Sequence, residues 1–114
     1  MALTIASRDV DGVVVLDLSG RITLGEGSVQ IRDAIREQLG KGQKSILLDM
    51  GEVNYIDSSG LGELVSAYTS AKNQNATLKL LKLTKKVHDL LQLTKLYTVF
   101  DIYDDEAHAI TAFR

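Results

Sequence analysis

Residues 45–73 read SILLDMGEVNYIDSSGLGELVSAYTSAKN, and the fold turns on how this stretch changes period. SILLDM (45–50) is a nearly continuous apolar run, as expected of a strand covered on both faces. Further on, Leu61, Leu64, Val65 and Tyr68 fall at i, i+3, i+4 and i+7, which predicts an amphipathic helix over 59–73. Asn73-Gln74-Asn75 closes it. Between strand and helix lies VNYIDSSGLG (53–62), where an apolar run ends in a carboxylate, two hydroxyls and two glycines.

The alternation extends in both directions. Upstream, TIASR (4–8) and VVVLDLSG (13–20) flank Asp11-Gly12, a strong hairpin signal. SVQIRDAIREQL (28–39) places Ile31, Ala34, Ile35 and Leu39 on one stripe, with Ser28 as the expected N-cap and Gly40 at C′. Downstream, TLKLLKL (77–83) reads as a strand and KKVHDLLQLT (85–94) as a helix. TVFDIY (98–103) reads as a last strand, and DDEAHAITAF (104–113) as a helix with three acids in its first turn. The order is β-β-α-β-α-β-α-β-α. Single helices between strands imply right-handed parallel crossovers, so the first strand should be antiparallel at an edge and the other four parallel.

At 114 residues, 45% apolar and 25% charged, the chain has the size and composition of a single soluble domain (1–114). A net charge of −2 and 5% aromatics argue against nucleic-acid binding. No apolar run approaches a bilayer span, and MALTIASRDVDG has no signal-peptide core, so a cytoplasmic protein without a membrane partner is expected. The default oligomeric expectation is a monomer or weak dimer.

Chemistry narrows quickly. Asp57, Ser58, His88, Asp89 and His108 include the residue types of a serine hydrolase, but Ile56 and Asp57 stand where Gly-x-Ser-x-Gly needs its first glycine. With no cysteine and two histidines 20 apart, no metal site is expected. Gly25-Glu26-Gly27, Gly40-Lys41-Gly42 and Gly60-Leu61-Gly62 extend to neither a dinucleotide fingerprint nor a phosphate loop, so no cofactor is expected. Two readings of the serine turn remain. In one, Ser59 caps the helix and Ser58 is merely polar. In the other, a serine at the positive end of a helix dipole accepts a phosphoryl group, while Gly60 and Gly62 leave the helix entrance open to another protein. A phosphate adds about −1.5 to −2 charges, enough to break an interface without melting the domain.

Asp57-Ser58-Ser59-Gly60-Leu61-Gly62 after ILLDM and a short loop resembles the signature of STAS-domain proteins, and more narrowly the bacterial anti-sigma factor antagonists. The similarity covers essentially the whole chain, including Leu18-Ser19-Gly20 at the end of the second strand and the later LLQLTKL. It implies a right-handed β/α superhelix around a small, mostly parallel sheet. It also implies a non-enzymatic binding protein that engages an anti-sigma factor serine kinase and thereby releases a sigma factor. That kinase phosphorylates the first motif serine, here Ser58, so that the complex dissociates, and a serine phosphatase resets it. Asp57, Ser59, Gly60, Leu61 and Gly62 would form the docking surface with Ser58. Thr23 stands where the family commonly carries an aspartate, and Glu26 is the acid that a folded-back loop could substitute. Loop 21–28 should border the serine turn, because both lie at the carboxyl end of parallel strands. The alternative is a non-switching STAS scaffold or a subunit of a larger regulatory or transport complex.

Overall fold

The computed structural model describes residues 3–114. Its elements follow the expected order: β1 (Leu3–Val10), β2 (Val13–Ile22), α1 (Glu26–Gly40), β3 (Ser45–Ile56), α2 (Ser58–Asn73), β4 (Thr77–Leu81), α3 (Lys85–Leu93), β5 (Ile102–Tyr103) and α4 (Glu106–Ala112). The strands lie side by side in sequence order. β1 pairs antiparallel with β2, and β2, β3, β4 and β5 are parallel. The β1–β2 turn needs positive φ at two successive residues, which Asp11 (53°) and Gly12 (83°) supply.

The near-continuous apolar strands have both faces covered. Val14, Leu16, Ile46, Leu48, Leu78 and Leu80 point into the larger core, where Ile31 and Ile35 of α1, Leu64 of α2 and Leu91 of α3 meet them. Val13, Val15, Leu47 and Leu81 face the other way, against Ala109 and Ile110 of α4. Strand alternation thus sorts one run, SILLDM, onto two helical layers.

Several boundaries differ from the sequence reading, each for a local reason. β3 runs on to Ile56, absorbing the segment read as a loop, because β2 continues beside it through Ile22. Two register shifts along this extension bend the pair as it passes the end of β4. Helix α1 starts three residues before Val29, flanked by Gly25, and Ser28 lies inside the first turn with its hydroxyl donating to the Thr23 carbonyl. Its end is a Schellman turn: Gly42, not Gly40, takes the positive φ of 84°. The Gln43 and Gly42 N–H groups close onto the Gln38 and Leu39 carbonyls. β4 stops at Leu81, and the strand expected over 98–103 is reduced to Ile102–Tyr103. The Schellman turn closing α3 places Lys95 at φ 62°, and the turn after it carries the chain to Phe100 before pairing resumes. In α4 only Glu106 of the three acids is in the helix; Asp105 is its cap.

Candidate functional site

The serine turn sits at the carboxyl end of the parallel strands, where β3 ends at Ile56 and α2 begins at Ser58. The cap of α2 is Asp57, not Ser59. One carboxylate oxygen accepts the Gly60 N–H at 2.9 Å, and the other accepts the Leu24 N–H at 3.1 Å. The Asp57 N–H in turn donates to the Ile22 carbonyl. A single residue therefore starts the helix and ties the β2–α1 loop to it. These bonds, the Gly60 one foremost and then the Leu24 one, hold the Asp57 carboxyl below the usual aspartate range. Asp57 stays ionised beside the serines.

Gly60 is part of the same join. A Cβ there would lie 2.3 Å from the Ile22 carbonyl oxygen and 2.7 Å from the Ile22 Cγ2. Only glycine lets α2 start this close to β2. Gly27 makes the same concession for α1, where a Cβ would sit 2.8 Å from the Arg21 carbonyl oxygen. Leu61 points into the core.

With Asp57, Gly60 and Leu61 committed to the join, the surface is left to the others. Ser58, first residue of α2, is exposed; Ser59 is half-buried; Gly62 is exposed with open space over its Cα. Neither serine hydroxyl bonds to a protein group among the described residues. Loop 21–28 borders the turn, as expected. Thr23 is half-buried, its carbonyl accepting both the N–H and the hydroxyl of Ser28. Glu26 is exposed in the first turn of α1 and forms no ion pair among the described residues.

Sequence reasoning missed three parts of this neighbourhood. Leu24 is 77% exposed and Val29 42% exposed, an apolar step beside the serines. Together with Gly25, Ser28, Arg32, Ser59, Gly62 and Glu63 they line an open groove between the starts of α1 and α2. Within this lining the Arg32 guanidinium donates to the nearly buried Glu63 at 2.8 Å. The third part is the bond from Leu24 to Asp57. The bare Leu24 in a Gly-rich loop was a readable signal; the bond across 33 residues was not.

The other polar residues weighed in the sequence lie apart. His108 is on α4, across the sheet, its ring edge against Tyr103 at 5.4 Å. His88 packs on Tyr97 at 4.8 Å, with its Nδ1 3.7 Å from Asp89. Neither bonds to a serine. Among the described residues no three His, Asp or Glu side chains converge to hold a metal ion.

The sequence matches the STAS domain family over residues 4–109. The chain belongs to that family. Among its relatives, this STAS domain is 29% identical over 112 residues to an anti-sigma F factor antagonist of Paenibacillus polymyxa, covering 97% of this chain and 95% of the other. It is 26% identical over 106 residues to an anti-sigma-B factor antagonist of Listeria monocytogenes, covering 93% and 91%. Among solved structures, it resembles a Thermotoga maritima protein assigned as an anti-sigma factor antagonist, with a TM-score of 0.86 and 28% identity over 95% of this chain and 92% of that one. The β-β-α-β-α-β-α-β-α order is the order of that fold.

Proposed function

We propose that this STAS domain is an anti-sigma factor antagonist: a binding protein, not an enzyme, that acts in the cytoplasm. Its partner is an anti-sigma factor with serine kinase activity, and binding releases a sigma factor. Phosphorylation of Ser58 ends the complex, and a serine phosphatase restores it.

The observation that carries this reading is the division of labour at the start of α2. Asp57 satisfies the helix start through Gly60 and holds loop 21–28 through Leu24. Ser58 is thereby relieved of any capping role and presents a free hydroxyl at the first helical position. A kinase can take that hydroxyl without undoing the fold. The phosphate formed would stand next to an ionised Asp57, adding charge to a surface that already carries one negative group. Against a docked partner such crowding costs several kcal/mol, and about 1.4 kcal/mol is tenfold in Kd. The docking surface in this reading is Ser58, Ser59 and Gly62 with the apolar step of Leu24 and Val29, while Thr23 and Glu26 shape its rim. Relatives with the same span carry the antagonist name.

The test begins with intact mass after incubation with ATP and each serine kinase of the anti-sigma type from the same genome, with Ser58→Ala in parallel. One added phosphate that vanishes in the variant is expected. Calorimetric titration of that kinase should then show Ser58→Ala within about threefold of the parent and Ser58→Asp weaker by about 30-fold or more. A kinase that binds parent, Ser58→Ala and Ser58→Asp equally would establish a non-switching scaffold instead.

A further inference from the structure

We propose a second recognition surface on the same end of the domain, formed by Arg21, Tyr55 and Lys86, whose ligand is a carboxylate-rich segment of a protein partner. It goes beyond the Ser58 cycle and depends on that reading only for which protein carries the segment.

The surface arises from the extension of β2 and β3 past the end of β4. There the register slips between Gly20, opposite Val53, and Arg21, opposite Tyr55. The extra residue in β3 re-aims the two side chains so that the Arg21 guanidinium stacks over the Tyr55 ring, 4.7 Å from its centroid. From α3, the Lys86 ammonium approaches the same ring at 6.0 Å. Tyr55 is 38% exposed between them.

The two cations are the informative part. Arg8 is spent on Asp17 and Glu106, Arg32 on Glu63, Lys79 on Asp101 and Lys85, within its own helix, on Asp89. Other exposed cations such as Arg36 and Lys72 are unpaired among the described residues too. What sets Arg21 and Lys86 apart is that both are unpaired and share one aromatic ring. Arg21 and Lys86 are exposed and have no ion-pair partner among the described residues. Asp57, two positions beyond Tyr55, turns its carboxylate onto the Gly60 and Leu24 N–H groups instead. An ordered aromatic plate flanked by two unpaired cations is complementary to carboxylates, with guanidinium for bidentate pairing and the ring for the aliphatic stem of a Glu. It lies on the strand end that carries Ser58, so one partner can span both. A nucleic acid or an anionic membrane would need a wider basic field than two cations on a chain of net charge −2.

The experiment is an NMR titration of the isotope-labelled domain at low salt with a Glu-rich decapeptide, alongside its all-Gln counterpart. Shifts should concentrate at residues 19–22, 53–56 and 84–87 and saturate at millimolar peptide or below, while the Gln peptide leaves them unmoved. Arg21→Glu/Lys86→Glu should weaken the peptide at least tenfold, and Arg21→Gln/Lys86→Gln by less. Tyr55→Ala, which alters no charge, should still weaken it several-fold, since Arg21 loses its platform. Shifts scattered over lysines elsewhere, or unchanged affinity in these variants, overturn the proposal. So does tighter binding at these residues by a short DNA duplex or a phosphatidylserine vesicle. A kinase that modifies Ser58 should show a KM about tenfold higher for Arg21→Glu/Lys86→Glu with kcat retained; an unaltered KM overturns the kinase as carrier of the segment and leaves the Ser58 cycle standing. If no kinase modifies Ser58, that cycle fails while the peptide result stands by itself.

Discussion

Helices α2 and α4 begin in the same way and are used differently. Each has an aspartate cap whose carboxylate accepts an N–H three residues on at 2.9 Å, Gly60 for Asp57 and His108 for Asp105. After the cap, α4 places Glu106, whose carboxylate is clasped by Arg8 of β1. The α2 start places Ser58, whose hydroxyl bonds to no protein group among the described residues. One helix start is fastened to the sheet by a side chain that follows the cap; the other is fastened by the cap and by a glycine, leaving its first side chain free. A site for another protein can therefore sit on a rigid element without being part of what makes it rigid.

The sharpest way to break this comparison is Gly60→Ala. In an exposed helix the change would stabilise by about 1 kcal/mol. Here the new Cβ meets the Ile22 carbonyl and side chain at 2.3 and 2.7 Å. The start of α2 must move outward, at a net cost of about 2–3 kcal/mol by urea unfolding. The Leu24–Asp57 bond should loosen with it, visible as faster hydrogen exchange at Leu24. An unchanged midpoint would mean that α2 is fastened by something other than close approach.

The corresponding fastening of α4 is electrostatic, so acid should release it. Hydrogen bonds from Arg8 are the main cause holding the Asp17 and Glu106 carboxyls below their ordinary values. Groups depressed in this way stabilise the fold above the unfolded values of about 4, and the contribution disappears as pH falls through their lower folded values. Arg8 and Asp17 are each 39% exposed and Glu106 31%, so solvent screening limits the network to about 1 kcal/mol. Arg8→Met should lose that amount at pH 7 and show a flatter stability profile between pH 5 and about 2, with α4 amides exchanging first. An acid limb as steep as the parent's would place the pH dependence elsewhere, Asp57 included.

Capping separates the two starts more finely. Asp105→Ala should cost about 1 kcal/mol, the ordinary value for a lost N-cap, and affect α4 alone. Asp57→Ala removes a cap and an inter-loop tie together, so its thermal midpoint should fall further than that of Asp105→Ala. Equal losses would make the Leu24 bond inert.

The order of elements, the parallel sheet with β1 antiparallel and the place of the serine turn were legible, because long apolar runs and i, i+3, i+4 stripes are written in consecutive residues. What failed was local. Ser28 and Ser59 looked like caps by type, yet Gly25 precedes α1 and Asp57 caps α2, since which residue caps depends on where the preceding strand stops. β3 outran its apolar core because β2 was beside it to pair with, a tertiary fact. Gly60 and Gly62 read alike as signs of an open helix entrance, and only the position of Ile22 separates them.

Gly62→Ala tests that last distinction with the smallest effect of the series. Nothing lies within 4 Å of a Cβ at this position, which is helical and exposed. The change should therefore stabilise the domain by about 0.5–1 kcal/mol, opposite in sign to Gly60→Ala. The added methyl would project into the groove beside Ser59 and Leu24. If that groove seats a partner, the more stable protein should bind it more weakly, a separation of stability from affinity that no defect in folding can imitate. A gain in stability with affinity untouched would leave Gly62 without a role at the interface and shift the docking surface toward Leu24, Val29 and Ser58.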